Sequence, residues 1–295
     1  MIKQFDTNDL AKLYVPSSTS HKGQNGKLLL IGGSHLFHAA SLWSLDIASR
    51  IVDMVFYSSV PQNNQIVETL KTEWRNGIIV PRESLEDYIK EADCILLGPG
   101  MTRTETVDRS RSIGSLKELS SMTDEGAQTY FLTKFLLEKY PEKKWVIDAG
   151  ALQMLELSSL KKTKGNVVLT PHILEFERLF GLDPLSSSVE DMASLHNCII
   201  VLKRHADTVC NNAECVLVEG GNAGMTKGGT GDVLAGLIAA LACKNDLYLA
   251  AKCGSYLNKK AGESLYKKQG LYFNASDLVG EIPKVMRELI SPDGL

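Results

Sequence analysis

The sequence predicts an α/β fold: a mostly parallel central sheet with helices on both faces, in a three-layer αβα arrangement. Short apolar runs that end in Gly, Asp or Pro recur between longer segments of helical period, which is the pattern of repeated β-α units. Several of these runs are apolar throughout, as expected for strands buried on both faces. The 295 residues, 44% of them hydrophobic, can bury a large core, and no linker or repeat divides them. We therefore expect residues 1–295 to form one domain.

Six apolar runs predict the strands of this sheet. They cover residues 27–31, 54–58, 94–97, 145–147, 167–169 and 199–202. Residues 208–210 and 215–218 flank the turn sequence Asn-Asn-Ala-Glu, and this pattern predicts an antiparallel hairpin.

The spacing of apolar residues predicts helices between and after the strands. These cover residues 42–51, 130–140, 174–180 and 192–196, a helical stretch from 231 to about 268, and a last helix over 275–289. The polar residues 102–128 are expected to form a long surface excursion.

Charge and hydropathy disfavour two classes of partner. The formal net charge of -3 and the pI near 6.1 come from interspersed acids and bases, so no large basic face for nucleic acid is expected. The N-terminal segment, with Asp6 and Asp9, does not resemble a signal peptide. The longest apolar stretches are shorter than the roughly 20 residues that cross a bilayer. We expect a cytoplasmic protein that does not bind membranes.

The six cysteines show neither C-x-x-C spacing nor a zinc-like grouping with the six histidines. Reduced, mostly buried thiols are expected, because free cysteine packs as a small hydrophobic residue. No dedicated metal site is expected either.

Ligands of open parallel sheets bind beyond the carboxyl ends of the strands, so the residues that directly follow each apolar run are candidates. This rule selects Gly32-Gly33-Ser34, Gly98-Pro99-Gly100, Asp148, Thr170-Pro171-His172 and Lys203. Neither the G-x-G-x-x-G pattern of dinucleotide-binding folds nor the Walker P-loop pattern occurs.

The strongest local signal is the run Gly228-Gly229-Thr230-Gly231-Asp232, which opens an apolar helix. Glycines let amide N–H groups approach an anion, and a helix N-terminus adds partial positive charge. Asp232 could accept a proton from a hydroxyl beside a transferring phosphate. The alternative is an ordinary glycine turn with an acidic residue that the helix dipole favours.

His172 follows Thr170-Pro171 and precedes Glu175 by three residues, so its imidazole is a candidate substrate contact. In the alternative interpretation Thr170 and Pro171 begin a helix and Glu175 caps it.

Taken in order, these segments resemble the ADP/ATP-dependent NAD(P)H-hydrate dehydratases, the C-terminal part of YjeF proteins, within the ribokinase-like superfamily. The motifs that carry the resemblance are HKGQNGKLLLIGGS from His21, LLGPGM from Leu96, VIDAGAL from Val146, LTPHILEFERLFG from Leu169, VLKRHADTV from Val201 and GNAGMTKGGTGDVLAGLIAAL from Gly221. The resemblance implies a ribokinase-like fold and a repair enzyme. Such an enzyme uses ADP or ATP to dehydrate hydrated NADH or NADPH, by phosphorylating the ring hydroxyl and eliminating the phosphate.

The resemblance also implies roles for individual residues. Asp232 would be the base, and the amides of Gly229, Thr230 and Gly231 would bind the transferring phosphoryl group. Ala40, Gly100, His172 and Asp232 would contact the hydrated dinucleotide, and Mg²⁺ is expected on the phosphates. The adenine nucleotide would contact Lys203, Arg204, His205, Ala206, Asp207 and Gly231.

Five positions differ from the family pattern, and all lie near these pockets. Phe37 replaces Tyr, Ala39 replaces Gly, Ser41 replaces Pro, and both Leu174 and Arg204 replace Gly. The GGTGD run itself is intact.

The resemblance bears on partners as well. Fused relatives carry an N-terminal epimerase, whereas here the first motif begins at His21, so we expect the epimerase to be a separate chain. The family commonly self-associates, which implies a homo-oligomer, up to a tetramer.

Two other functions are compatible with the same turn. A ribokinase-like kinase for a small hydroxylated molecule, such as a sugar or a vitamin precursor, would use the same site and would accumulate a stable phosphate ester. A non-catalytic nucleotide-binding protein would bind nucleotide without releasing phosphate.

Overall fold

The computed structural model describes residues 2–290, which contain a ten-stranded sheet. Its strands are β1 (Lys3–Gln4), β2 (Lys27–Ile31), β3 (Met54–Ser58), β4 (Ile78–Ile79), β5 (Cys94–Leu97), β6 (Lys144–Ile147), β7 (Val167–Leu169), β8 (Ile199–Leu202), β9 (Asp207–Cys210) and β10 (Cys215–Val218). Their spatial order is β1-β10-β9-β8-β7-β6-β5-β2-β3-β4. The pairs β8-β9 and β9-β10 are antiparallel, and the other adjacent pairs are parallel. The mostly parallel α/β fold and all six predicted strands are confirmed.

Helices cover both faces of the sheet. They are α1 (His38–Ser49), α2 (Pro61–Leu70), α3 (Leu85–Glu91), α4 (Leu116–Ser120), α5 (Glu125–Lys139), α6 (Ala149–Gln153), α7 (Leu157–Leu160), α8 (Ile173–Phe180), α9 (Ser186–His196), α10 (Thr230–Ala242), α11 (Leu247–Gln269) and α12 (Ala275–Ile290). Short 3-10 turns occupy Thr7–Lys12, Arg82–Ser84 and Ala223–Thr226. Between residues 2 and 290, none of the helices combines the length and apolarity that a membrane crossing requires.

Two hydrophobic clusters form the core, one on each face of the sheet, and strand β2 shows why its sequence is apolar throughout. Side chains alternate between the two faces of a strand. Leu28 and Leu30 therefore pack into the cluster formed with α1, α10, α11 and α12. Leu29 and Ile31 pack into the opposite cluster with α3, α5 and α8. All four side chains are fully buried.

The structure corrects two predictions of local structure and adds elements that were not predicted. The helical stretch predicted over 231–268 is divided into α10 and α11, because the Asp246 side chain accepts hydrogen bonds from the amides of Tyr248 and Leu249 and starts a new helix. The surface excursion predicted over 102–128 is not wholly irregular, since it contains α4 and the first turn of α5. The elements α2, α3, α6, α7, β1 and β4 were not predicted; the two strands have only two residues each.

The expectation that all cysteines are reduced is wrong for one pair. Cys210 and Cys215 are opposite each other in the β9-β10 hairpin and form a disulfide, with their Cα atoms 4.1 Å apart. Both positions lie within predicted strands, but only their register places the two thiols together. Cys94, Cys198, Cys243 and Cys253 are free and buried, as predicted.

Candidate active site

The turn that opens α10 has a conformation that requires glycine. Gly229 has φ +93°, and a methyl group at this position would lie 2.4 Å from the ring of Trp43. The hydroxyl of Thr230 donates to the carbonyl oxygens of Met225 and Lys227, at 2.6 and 2.9 Å. The packing of Gly229 against Trp43 and the hydrogen bonds of Thr230 therefore fix the turn. The first amides of α10 lie at the carboxyl-end edge of the sheet.

Asp232 lies in the first turn of α10. The hydroxyl of Ser44, on α1, donates to its backbone carbonyl oxygen at 2.7 Å and fastens this turn to the neighbouring helix. Burial raises the pKa of the Asp232 carboxyl to about 7, with a further contribution from the negative charge of Asp148, while Lys203 acts in the opposite direction. A carboxyl group with this pKa can exchange protons near neutral pH.

The ends of three neighbouring strands supply a buried charge cluster beside Asp232. Asp148 follows β6 and is 2% exposed; its Oδ1 atom accepts hydrogen bonds from Lys203 Nζ and Thr170 Oγ1, each at 2.8 Å. Lys203 follows β8, and its Nζ atom also lies 3.9 Å from Glu175 Oε2. Burial would lower the pKa of Lys203, but the charges of Asp148 and Glu175 outweigh it and raise that pKa. Lys203 therefore stays protonated.

His172 and Glu175 form a reciprocal cap at the start of α8. The His172 amide donates to Glu175 Oε2 at 3.0 Å, and the Glu175 amide donates to His172 Nδ1 at 3.3 Å. Gln153 Nε2 donates to the other carboxylate oxygen of Glu175 at 3.0 Å. The capping interpretation is thus confirmed for Glu175. The His172 side chain is half exposed, and its Nε2 atom lies 3.6 Å from Glu175 Oε2.

Ala40 and Gly100 are adjacent in the structure. The Gly33 amide donates to the Pro99 carbonyl oxygen at 2.7 Å, which joins the turns after β2 and β5. A methyl group on Gly100, whose φ is +71°, would lie 2.6 Å from the carbonyl oxygen of Phe37 and 3.1 Å from Ala40 Cβ. This close approach leaves no room for a side chain at position 100.

The residues that differ from the family pattern occupy different environments. Ser41 is buried, and its hydroxyl lies 2.8 Å from the Tyr57 hydroxyl. Phe37 and Leu174 are 51% and 68% exposed at the carboxyl-end edge of the sheet. Arg204 donates from Nη1 to the Pro184 carbonyl oxygen at 3.0 Å, so its guanidinium is directed along the loop before α9.

A cavity of about 350 Å³ lies beside the α10 turn. Six of the predicted site residues line it: Lys203, Arg204, His205, Asp207, Thr230 and Gly231. The segment 220–223 adds to its wall, but Ala206 does not. A volume of this size is typical of small-ligand sites.

Asp207 has a structural role in the wall of this cavity. Its Oδ1 atom accepts from the Arg204 amide at 2.8 Å and lies 3.2 Å from Lys259 Nζ, and its Oδ2 accepts from Ser255 Oγ at 2.7 Å. Lys259 also donates to the carbonyl oxygens of Arg204 and His205. The loop over 203–207 is therefore shaped by α11, on which both Ser255 and Lys259 lie.

The contacts of three of these residues were not predicted from the sequence. Asp148 was selected by its position after a strand, but only the structure shows its bond to Lys203. Gln153 and Lys259 had no local signal, because their partners are distant in sequence. Among residues 2–290, no group of three or more His, Cys, Asp or Glu side chains is arranged to hold a metal ion.

Comparison with known proteins identifies the family. The family model described as NAD(P)H-hydrate dehydratase matches residues 28–284. The chain is 34% identical, over 97% of its own length and 98% of the relative's, to the ADP-dependent (S)-NAD(P)H-hydrate dehydratase of Nitrosopumilus maritimus. It is 35% identical to the bifunctional NAD(P)H-hydrate repair enzyme Nnr of Methanocaldococcus jannaschii; the match covers 95% of this chain and 52% of that protein, so the chain spans about half of its length.

Solved structures show the same fold. A ribokinase-like superfamily protein from Enterococcus faecalis superposes with a TM-score of 0.82 at 24% identity, over 99% of this chain and 97% of that one. The ADP/ATP-dependent NAD(P)H-hydrate dehydratase of Bacillus subtilis, co-crystallised with ATP and Mg²⁺, gives a TM-score of 0.76 at 21% identity, over 98% and 99% of the two chains. The predicted ribokinase-like fold is confirmed, and the chain belongs to the enzyme family of NAD(P)H-hydrate dehydratases.

Proposed function

We propose that the chain uses ADP or ATP to dehydrate hydrated NADH and NADPH, with Asp232 as the base. The observation that carries the proposal is the position of Asp232: its carboxyl, with a pKa raised to about 7 by burial and by Asp148, lies in the first turn of α10 beside the 350 Å³ cavity. The family relationship supports the same reaction.

In this proposal the cavity takes the adenine nucleotide. Lys203, Arg204, His205, Asp207 and Gly231 line it, and Ala206 belongs to the same loop. The transferring phosphoryl group would lie at the amides of Gly229, Thr230 and Gly231, since a helix N-terminus stabilises negative charge. Lys203 would add a positive charge next to Gly231, since its Nζ atom lies 3.4 Å from the position that a methyl group on Gly231 would occupy.

The hydrated dinucleotide would lie on the other side of Asp232. Ala40 and Gly100 offer a close backbone surface without bulky side chains. His172 offers the Nε2 atom of a half-exposed ring. Ser44 supports this arrangement by holding the Asp232 backbone to α1, the helix that also carries Ala40.

The reaction follows from this placement. Asp232 takes the proton of the ring hydroxyl while the hydroxyl oxygen attacks the terminal phosphorus of the nucleotide. The bond from that phosphorus to the leaving nucleotide then breaks. ATP thus yields ADP, and ADP yields AMP. The carbon–oxygen bond of the phosphorylated ring then breaks with its electron pair leaving on the phosphate, the adjacent carbon loses a proton to water, and the carbon–hydrogen electron pair forms the ring double bond. The reduced nicotinamide and inorganic phosphate are released.

Mg²⁺ would reduce the negative charge of the nucleotide phosphates. The carboxylates of Asp148 and Glu175 are already engaged by Lys203, Thr170, Gln153 and the His172 amide. The residues present therefore fit an ion held by phosphate oxygens and water. The solved Bacillus subtilis protein, co-crystallised with ATP and Mg²⁺, supports this part of the proposal.

The proposal extends to organisation and location. The continuous sheet and its two core clusters support one domain, which would act in the cytoplasm as a homo-oligomer. An epimerase for the same hydrated cofactors would be its functional partner, and the Methanocaldococcus relative is named as a bifunctional repair enzyme.

A near-ultraviolet absorbance assay tests the reaction. Hydrated NADH or NADPH is mixed with Mg²⁺ and ADP or ATP, and wild type is compared with Asp232→Asn. The reduced-nicotinamide band should grow only with nucleotide, with phosphate released in equal amount, and the variant should lose about 10²-fold or more in kcat. Asp277→Asn is the matched control, because Asp277 also lies in the first turn of a helix but is exposed.

Three results would contradict the proposal. Equal activity of wild type and Asp232→Asn would exclude Asp232 as the base. A stable phosphate ester without reduced nicotinamide would indicate a small-molecule kinase. Nucleotide binding by folded protein, with no phosphate release from any hydrated cofactor, would indicate a non-catalytic protein.

A further inference from the structure

A second cavity, of about 610 Å³, lies next to the charge cluster of the active site. Its wall includes Gln153 and Glu175, whose side chains are hydrogen-bonded to each other at 3.0 Å. Glu175 is also the residue that lies 3.9 Å from Lys203 Nζ. Glu175 therefore borders this cavity and also lies near the Lys203-Asp148 pair.

The cavity presents two arginines. Arg178 lies one turn along α8 from Glu175, and Arg109 approaches from the loop after β5. Both are exposed, and in the part of the chain between residues 2 and 290 no carboxylate oxygen lies within 4.0 Å of either guanidinium. Arg109 instead lies over the ring of Tyr130, at 5.7 Å from its centroid.

The carboxylates in the same wall are already engaged by other groups. Glu156 accepts a hydrogen bond from the Tyr130 hydroxyl and pairs with Lys134 at 3.1 Å. Glu175 is engaged by Gln153 and by the His172 amide. The two arginines are thus available to an external anion, and guanidinium groups match the geometry of phosphate oxygens.

We propose that this cavity binds the 2′-phosphate of hydrated NADPH, so that Arg178 and Arg109 make the enzyme prefer the phosphorylated dinucleotide. The inference rests on the proposed function and specifies its substrate. His172, a proposed contact of the dinucleotide, and Arg178 lie at the start and in the last turn of the same helix, α8. A dinucleotide that contacts His172 and extends along α8 would bring its far ribose to this cavity.

The test compares substrates within each variant. The ratio of kcat/KM for hydrated NADPH to that for hydrated NADH is measured for wild type, Arg178→Gln and Arg109→Gln. The ratio should exceed one in wild type and fall by about tenfold in Arg178→Gln, as expected for the loss of one charge-assisted hydrogen bond. Turnover of hydrated NADH should be unchanged. Arg75→Gln is the control, because Arg75 is an exposed arginine that precedes β4 at the opposite, amino end of the strands.

Two further measurements identify the source of the phosphate and keep the two proposals distinguishable. Inorganic phosphate should compete with hydrated NADPH more than with hydrated NADH; equal inhibition of both would indicate a free-phosphate site and overturn the inference. The Kd values of NADPH and NADH, measured by ligand fluorescence, should show the same loss of preference in Arg178→Gln.

A kcat/KM ratio unchanged in both arginine variants would overturn the inference while leaving the dehydration reaction intact. Absence of turnover with both hydrates would refute the reaction, and the fluorescence ratio would still test the cavity.

Discussion

The ammonium group of Lys203 donates to Oδ1 of Asp148 at 2.8 Å, across the carboxyl ends of β8 and β6. These two residues act on the acidity of Asp232 in opposite directions: the Asp148 charge raises the pKa of the Asp232 carboxyl, and the Lys203 charge lowers it. Burial is the largest cause of the raised pKa, and the balance of these two charges adjusts the pH at which Asp232 can accept a proton.

Replacing the two partners should shift the pH profile in opposite directions. Asp148→Asn should move the acidic limb of kcat/KM to lower pH, and Lys203→Met should move it to higher pH, each by about one unit. The measurement is kcat/KM against pH with saturating nucleotide. Lys252→Met, which breaks the distant pair of Lys252 and Asp9, is the control and should leave the limb in place. Shifts in the same direction would contradict this account of Asp232.

Asp232→Asn should make the folded protein more stable at alkaline pH. The pKa of Asp232 is raised from 3.8 to about 7 on folding, chiefly by burial, so the folded state loses stability as pH rises between these values. The asparagine variant avoids this loss. Because Asp232 is partly exposed, we expect a gain of about 1–2 kcal/mol at pH 8 and none at pH 4. Urea unfolding at both pH values measures it; an asparagine variant less stable at pH 8 would contradict the prediction.

Glu281→Gln should destabilise the protein at neutral pH and have little effect in acid. Glu281 is 3% exposed; burial alone would raise its pKa, but Lys268, Ser264 and Lys284 lower it to about 2. A lowered carboxyl pKa contributes stability above the unfolded value of 4.5, and this contribution is lost as pH falls toward 2. We expect a loss of about 2–3 kcal/mol at pH 7, measured by urea unfolding at several pH values.

The same experiment provides a comparison for the Glu281 prediction. Glu288→Gln removes an exposed carboxylate from the same helix, α12, and should change stability by less than about 0.5 kcal/mol at every pH. A Glu281→Gln effect of equal size at pH 7 and pH 3 would show that the ion pairs with Lys268 and Lys284 are not its cause.

Reduction of the Cys210–Cys215 disulfide should destabilise the hairpin of β9 and β10. Unfolded, unreduced protein should expose four thiols to a thiol reagent, and reduced protein six, in agreement with the four free cysteines and one disulfide. Closing a loop of this length stabilises by about 2 kcal/mol in the chain-entropy model. Cys215→Ser should lower Tm in oxidising buffer and abolish the effect of reductant. Six thiols without reductant would contradict the bond.

Much of the fold could be predicted because local patterns determine it. The strand β2 is apolar at every position, since its side chains enter both core clusters, and this pattern identified it without a structure. The helix α10 was anticipated from its glycine-rich start and apolar continuation. The short strands β1 and β4 could not be predicted, because two residues carry no periodicity and only their neighbours β10 and β3 make them strands.

The sequence by itself determined the positions of the main strands, the glycine turn before α10 and the place of Asp232 in it, because each depends on residues that are contiguous in the chain. Only the tertiary structure decided what surrounds Asp232. Lys203 and Asp148 are 55 residues apart, and they meet because β8, β7 and β6 are neighbours in the sheet. The register of β9 against β10 likewise decided the Cys210–Cys215 bond. Burial and through-space charge determine the acidity of the site, and neither can be read from adjacent residues.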